Sequence, residues 1–192
     1  EFFYYCIHYY SHKIPLGWAG HLVHHSGTKL NLINGRRLNL IDPLVLIYFF
    51  YAFFIWIGFK TEIFYFYLTF SLQYQVLIHT DLVPKLGFLD KFINTPSNHR
   101  VHHGTESIYH DKNFGGITVI FDRLFGTYQP ELDHLKPTYG VVGGLPSQNP
   151  FRIAYYGFER LYLNWREQRV GLLNILFQMD PNVATAPKKK TA

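Results

Sequence analysis

The chain has 192 residues, of which 48% are hydrophobic, 19% aromatic and only 16% charged, and one domain with a sizeable core accounts for that length. The charged fraction lies below the ~25% usual in soluble domains and favours contact with a membrane. The single cysteine excludes an internal disulfide and any cysteine-based zinc or iron–sulfur site, and the dispersed net charge of +5 gives little support to nucleic-acid binding.

The chain begins at Glu1 inside an aromatic stretch, without a methionine. It has neither the basic segment nor the small-residue cleavage site of a signal peptide. We therefore expect a truncated sequence, with one or more membrane segments preceding it.

The first histidines form two clusters on predicted helices. His8 and His12 lie on a helix that should end at Pro15, and the Ser26-Gly27 pair should close the next helix. That second helix carries His21, His24 and His25. Because residues three and four apart share a helical face, each cluster can direct two or three imidazoles at one point.

Two uncharged runs follow, at 43–59 and 63–78, joined only by residues 60–62. Each is slightly shorter than the ~20 residues needed to span a bilayer. Flanking residues extend them to about 38–59 and 62–79, and the short connection predicts an antiparallel hairpin of spanning helices. The alternative is a pair of buried core helices in a soluble protein, which length alone permits.

Basic residues flank this hairpin, whereas its tip holds only Lys60. The flanking residues are Lys13, Lys29, Arg36, Arg37, Lys85, Lys91 and Arg100. By the positive-inside rule the flanks face the cytoplasm. Every histidine cluster is then predicted on the cytoplasmic face of a bacterial inner membrane or of the endoplasmic reticulum.

The remaining histidines of the pattern come after the second run. His79 ends that run, and the third cluster contains His99, His102 and His103. Thr95-Pro96 is typical of a helix N-cap and first helical position, and Gly104 stands where the helix would stop.

The second half of the chain carries weaker signals. Residues 115–121 predict a short helix or strand followed by a turn, and the glycines and prolines of 139–150 predict a loop. Residues 151–173 predict an amphipathic helix, lying at a membrane interface or on an ordinary protein surface. We predict one domain over 1–173 and a flexible tail over 174–192.

Nine imidazoles exceed what one metal ion accepts, so the pattern predicts two ions. No cluster contains the glutamate that a zinc hydrolase motif such as His-Glu-x-x-His provides. Nitrogen-rich sites suit iron, copper, nickel or zinc, and paired iron best fits a site beside a lipid-facing hairpin because it can attack an unactivated C–H bond. His110 and His134 stand outside the pattern and are interpreted as ordinary histidines.

These stretches resemble the fatty acid hydroxylase/sterol desaturase superfamily of integral-membrane di-iron enzymes, over roughly residues 1–128. The resemblance is carried by residues 1–12, 18–26, 79–80, 94–104, 111–115 and 122–127. It implies an all-α membrane bundle with a cytoplasmic histidine-rich di-metal cap. The iron ligands it implies are His8, His12, His21, His24, His25, His79, His99, His102 and His103.

Within the superfamily, the Asn-Thr-Pro-Ser-x-His-Arg-Val-His-His-Gly stretch looks most like the alkylglycerol monooxygenase branch and bacterial sterol desaturase-like proteins. Two positions depart from the usual pattern. Tyr9 stands where the first motif usually has arginine, and Val83 stands where some relatives have a further histidine. The second departure leaves nine ligands instead of ten.

The implied activity is the oxygen-dependent hydroxylation or desaturation of a sterol, fatty acyl or alkyl-glycerol type lipid. Its cofactors are two iron ions, with zinc possible in isolated protein, and its electrons come from a separate protein or a pterin because no haem, flavin or iron–sulfur motif is present. The alternatives are a dizinc membrane hydrolase and a non-enzymatic metal transporter. A transporter should carry polar ligands near mid-membrane, and the two runs offer few.

Overall fold

The computed structural model describes residues 1–40, 42, 47–167 and 171–177, and over these residues the fold is helical, with isolated β-bridges and no strands. Two short 3₁₀ turns lie at Asn34–Arg36 and Leu89–Lys91. The eight helices are α1 (Phe2–Lys13), α2 (Pro15–His25), α3 (Ile47–Trp56), α4 (Thr61–Ile78), α5 (Pro96–His102), α6 (Ile120–Leu124), α7 (Pro150–Arg166) and α8 (Leu172–Phe177).

Helices α1 and α2 form a tight corner that brings the first two histidine clusters together. Ile14 has an extended backbone, and Pro15 occupies the first turn of α2, where its missing N–H costs no helical hydrogen bond. The predicted end of the first helix before Pro15 is therefore confirmed. The predicted end of the second is confirmed as well, because α2 stops at His25 and both the N–H and the hydroxyl of Ser26 donate to the Val23 carbonyl.

Helix α7 supports α2 from the side opposite the histidines. A Cβ atom at Gly157 would lie 2.6 Å from the Cα of Ala19, so only glycine permits this approach of the two backbones. Buried apolar side chains of both helices surround the contact, among them Leu22, Ile153 and Leu161. The predicted amphipathic helix of 151–173 is thus observed as α7, which ends at Arg166.

Helices α3 and α4 form the predicted hairpin, which turns at Gly58 with a φ of 101°. Large side chains along α4 are exposed, including Tyr65, Phe66 and Phe70. Within the described ranges, none of the helices combines the length and the apolar character required to cross a bilayer. Residues 43–46, the start of the first predicted run, lie outside the described residues.

Helix α5 is short but capped as the sequence predicts. Thr95 is its N-cap and accepts from the Asn98 N–H, Pro96 follows at the first position, and His103 is the C-cap before Gly104. The region predicted as helix or strand, 115–121, is irregular until the five-residue α6 begins at Ile120, and 139–150 is loop up to the start of α7. The predicted tail begins within α8, and its residues 178–192 lie outside the described residues.

Candidate metal centre

All nine histidines of the pattern are buried and meet in two groups between α1, α2, α5 and the end of α4. Within each group one ring nitrogen of every member lies within 4.8 Å of the others. The five-histidine group consists of His8, His12, His21, His25 and His102, and the four-histidine group consists of His24, His79, His99 and His103.

The helical spacing of the histidines decides how they divide between the groups. Pairs four residues apart stay together, as His21 and His25 do in one group and His99 and His103 in the other. The histidine immediately before the second member of each pair, His24 or His102, crosses to the opposite group because neighbouring helical positions point about 100° apart. Each cluster therefore directs two imidazoles at one point, its four-residue pair, which agrees with the predicted two or three.

The ring nitrogens inside each group have the spacing of metal ligands. In the four-histidine group, the Nε2 atom of His79 lies 2.9 Å from that of His99 and 3.2 Å from that of His24. In the five-histidine group, the Nε2 atoms of His8 and His21 are 3.2 Å apart. Nitrogens bound at about 2.1 Å to one shared ion stand roughly 3 Å apart, so both groups have suitable dimensions.

The five-histidine group also contains buried nitrogens that need a partner. The Nε2 atoms of His12, His25 and His102 are buried and form no hydrogen bond within the part of the chain that the structure describes. His8 donates from Nδ1 to a carbonyl, which leaves its Nε2 with a lone pair facing His21. Several unprotonated nitrogens converging on one point are what a metal cation requires, so the donor set fits a metal ion.

The segment 111–115 fixes the orientation of two imidazoles in the five-histidine group. His8 donates from Nδ1 to the Phe114 carbonyl and His102 donates to the Lys112 carbonyl, both at 2.9 Å. Asp111 and Asn113 adopt positive φ angles of 57° and 56°, in the left-handed region. This curled backbone presents carbonyls to the rings, and such contacts set which nitrogen remains available to an ion.

Asp122 and Asn113 hold that segment in place. The Asp122 carboxylate accepts from the N–H groups of Phe114 and Gly115, at 2.7 and 2.9 Å. The Asn113 side chain is fully buried and donates to the carbonyls of Asn98 and Gln129. The conformation of 111–115 is thus tied both to α6 and to α5, which carries His102.

Two carboxylates lie next to ring nitrogens of the five-histidine group that face away from its centre. Asp42 and His21 are both fully buried, and the Asp42 carboxylate accepts from the His21 Nδ1 at 3.1 Å. Asp111 lies 3.6 Å from the His12 Nδ1 and accepts from Lys13 at 2.6 Å. A carboxylate on the remote nitrogen orients an imidazole and raises its basicity as a ligand.

His79 is positioned without a carboxylate. Its Nδ1 donates to the Gln75 carbonyl at 2.6 Å, one turn back along α4. Gly35 lies against the other side of the ring, where an added Cβ would be 2.9 Å from Nδ1 and 3.2 Å from the Cα of Val76. The turn at 34–36 therefore needs glycine in order to pass so close to this imidazole.

Burial favours the neutral form of most of these imidazoles. It is the largest cause of lowered pKa values, and the neighbouring imidazoles add to it, since a second positive charge nearby is unfavourable. The pKa of His102 falls to about 3. The pKa values of other members are also lowered well below the ordinary histidine value, namely those of His8, His12, His24, His25, His99 and His103. Neutral imidazole is the form that binds metals.

A cavity of about 290 Å³ lies beside the centre, between α1, α4, residues 35–38 and Asp42. It reaches His8 of the five-histidine group and His24, His79 and His99 of the four-histidine group. Its other walls combine apolar side chains of α4, among them Leu68, Leu72 and Val76, with polar ones, namely Arg36, Asp42, Ser71, Gln73 and Gln75. A cavity with an apolar wall that ends on the two histidine groups can hold part of a lipid chain.

The supporting residues were the part of the site that the sequence did not reveal. Asp42 and Asp122 have no regular spacing from the histidines of the group that they support, and the Gln75 group that contacts His79 is a backbone carbonyl, which the residue type does not mark. The only available signal was that Asp122 and 111–115 lie in stretches that carry the family resemblance. His110 and His134 are exposed and belong to neither group, as predicted.

The fold and the site together define a helical protein with a nitrogen-only centre suited to two metal ions. Residues 1–127 match the family described as fatty acid hydroxylase, which confirms the suspected relationship. The chain belongs to the fatty acid hydroxylase family.

Several curated proteins are similar to most of the chain. Alkylglycerol monooxygenase of Danio rerio is 41% identical over 164 residues, which cover 85% of this chain and 36% of that protein. The human protein of that name is 33% identical, covering 86% and 36%, and the ornithine lipid hydroxylase OlsE of Rhizobium tropici is 30% identical, covering 74% and 43%. The chain thus spans about a third of the length of the alkylglycerol monooxygenases it matches. No solved structure matches it.

Proposed function

We propose that this chain is the catalytic part of an oxygen-dependent, lipid-modifying oxidoreductase that hydroxylates or desaturates its substrate. The observation that carries the proposal is the pair of buried, neutral imidazole groups at the end of an apolar cavity. Family membership and the similarity to two kinds of lipid-modifying enzyme support it. Among sterol, fatty acyl and alkyl-glycerol lipids, those similarities favour an alkyl-glycerol type substrate.

The nine histidines would hold two iron ions, one in each group. Iron bound there would supply the reduction of dioxygen and the attack on an unactivated C–H bond. Because the ligands of both groups are neutral nitrogens, they would leave the charge of each ion largely uncompensated. At the five-histidine group, the carboxylates of Asp42 and Asp111 would offset part of that charge. Zinc could occupy the same nitrogens in isolated protein.

The protein's own groups orient the ligands and exclude water. Carbonyls from 111–115 and from Gln75 keep protons on the remote nitrogens of His8, His102 and His79, so that Nε2 faces the centre. Apolar side chains of α4 would align a lipid chain and keep water from the reacting carbon, which suppresses side reactions of the oxidant.

The proposal includes an integral-membrane location, with the hairpin of 38–59 and 62–79 in the bilayer and the histidines on the cytoplasmic face. The uncharged runs, the exposed aromatic side chains of α4 and the basic flanks support it. Electrons would come from a separate protein or a pterin, since the sequence carries no motif for a bound redox group of another kind.

A dizinc hydrolase would need a carboxylate base near the ions. Asp42 is the acidic side chain that lines the cavity, but it accepts a hydrogen bond at the remote nitrogen of His21. A carboxylate in that position serves the imidazole, and this favours the oxygenase.

Metal analysis combined with lipid turnover tests the proposal. Full-length protein purified in air should contain about two iron ions, and it should convert an alkylglycerol only with oxygen and a reductant present. His110→Ala is the matched control, because His110 is an exposed histidine outside both groups. Lipid hydrolysis without oxygen by a zinc-loaded, iron-free protein would overturn the oxygenase in favour of the hydrolase.

A further inference from the structure

The inner face of α4 carries a polar stripe on a helix that is otherwise largely apolar. Ser71, Gln75 and His79 lie four residues apart, so their side chains follow one face of the helix toward the histidine centre. Ser71 is 3% exposed and His79 is 2% exposed. Polar side chains within an apolar helix are costly unless they have partners, and they often mark a substrate path.

These side chains line the cavity beside the four-histidine group. Tyr4, Ser71 and Gln75 all contribute to its wall, together with His79 at its inner end. Tyr4 donates its hydroxyl proton to the Gln75 side-chain oxygen at 2.6 Å, and the Gln75 amide donates to the Ser71 oxygen at 3.0 Å. The three residues therefore form one hydrogen-bonded unit that joins α1 to α4.

That unit retains the capacity to bind another oxygen atom. The Gln75 amide group has two hydrogens, and one of them serves Ser71. Helix packing alone would be satisfied by apolar residues here, as it is at the neighbouring wall positions Leu68 and Leu72. An amide hydrogen at the wall of an apolar cavity is suited to an uncharged oxygen of a ligand, because a lone hydrocarbon chain would leave it without a partner.

We propose that Gln75, held by Tyr4 and Ser71, binds an uncharged oxygen atom of the lipid substrate and so determines which carbon lies next to the histidine centre. The substrate is then a lipid with an ether, ester or hydroxyl oxygen near the carbon that reacts. This inference rests on the proposed oxygenase function. Gln75 is a specificity-determining residue, and the group that positions His79 is its backbone carbonyl, which a side-chain substitution retains.

Equilibrium binding to the full-length protein in lipid nanodiscs tests the subsite without requiring turnover. Three ligands of equal chain length are compared: a 1-O-alkylglycerol, the diol with a methylene in place of the ether oxygen, and the alkyl ether without the hydroxyls. In the wild type, one of the two replacements should weaken binding about fivefold, the equivalent of one hydrogen bond. Gln75→Met, which keeps the length of the side chain, should remove that difference.

Matched variants distinguish the loss of the Gln75 contact from a general change in the packing of α4. Thr69→Val removes a hydroxyl from an exposed position of α4 outside the cavity and should retain the wild-type preference. Tyr4→Phe should weaken the preference partly, since it frees the Gln75 side chain to rotate. Iron content equal to that of the wild type in all three variants shows that the histidine centre is intact.

The outcomes distinguish this inference from the proposed function. If iron-loaded protein converts the alkylglycerol but Gln75→Met keeps the full preference for the oxygen-bearing ligand, the subsite is wrong and the oxygenase stands. The subsite is equally refuted if the wild type binds all three ligands with the same affinity. If none of the ligands binds and no lipid is converted, both proposals fail.

Discussion

The two histidine groups differ in what surrounds them. In the five-histidine group, the ring nitrogens that face away from the centre contact other parts of the protein. These contacts come from the carbonyls of 111–115 and the carboxylates of Asp42 and Asp111. The four-histidine group supplies three of the four histidines that line the cavity, and its member His79 is oriented by a single backbone carbonyl. One group is therefore built for firm ligand orientation, and the other lies where a substrate can reach it.

The strongest test of this division removes one ligand from each group. His102→Ala should lower the iron content from about two ions to about one by emptying the five-histidine group, and His103→Ala should do the same for the other group. Both variants should lose oxygen-dependent lipid conversion, because the proposed activity requires an ion in each group. Metal analysis and product measurement check this, with His110→Ala as control. Full activity in both variants would refute the ligand assignment.

Acidification should destabilise both groups together. The pKa values of His8, His12, His24, His25, His99, His102 and His103 are lowered, so the unfolded chain takes up protons that the folded chain cannot. The contribution of these histidines to the free energy of unfolding is then fully present above about pH 6.5. It decreases as the pH drops toward the pKa values of the folded protein, about 3 for His102.

The effect can be measured in chelator-treated protein. At about pH 5.5, each imidazole kept neutral costs about 1.4 kcal/mol relative to the unfolded chain. The unfolding midpoint of this protein should therefore be clearly lower at pH 5.5 than at pH 7.5, and metal-loaded protein without chelator should lose its metal over the same interval. A midpoint that does not change would contradict the burial of neutral imidazoles.

Asp42→Asn should change the metal affinity of one group and leave that of the other unchanged. The amide keeps the shape of the side chain but loses the negative charge beside His21, which should weaken metal binding in the five-histidine group by about 10- to 100-fold. The four-histidine group should keep its affinity. A metal titration with two resolved binding steps measures this, and equal weakening of both steps would show that the groups are not independent in this respect.

Thr95→Ala should have the smallest effect and should not discriminate between the groups. It removes the N-cap of α5 and should lower the free energy of unfolding by about 1 kcal/mol. Because α5 carries His102 for one group and His99 for the other, and His103 is its C-cap, both binding steps should weaken slightly. Thr95→Ser, which keeps the capping oxygen, should restore most of the loss.

Local sequence signals predicted the helix ends well. The observed helix ends lie at the predicted residues, namely Pro15, Ser26 and the Thr95-Pro96 pair. These residues end or begin a helix through their own backbone geometry and side chains. The spacing of the histidines also predicted which residues would meet. Both kinds of signal depend on neighbours within about one helical turn.

Long-range contacts could not be predicted in the same way. The division into five and four depends on how α2 and α5 face each other, which no single helix encodes. Asp42 reaches His21 across 21 positions, and the Phe114 carbonyl reaches His8 across 106. A backbone carbonyl leaves no signature in the residue type, so its role became visible only in the folded chain.

The close approach of Gly157 to Ala19 has a mechanical consequence for the outer surface of α7. Phe151, Tyr155 and Tyr162 are exposed on this helix, while its other face packs on α2, which carries three of the nine histidines. With no side chain between the two backbones, the helices have little freedom to slide or separate. A displacement of the exposed aromatic side chains of α7 would therefore move α2 and its histidines together with α7, as one rigid body.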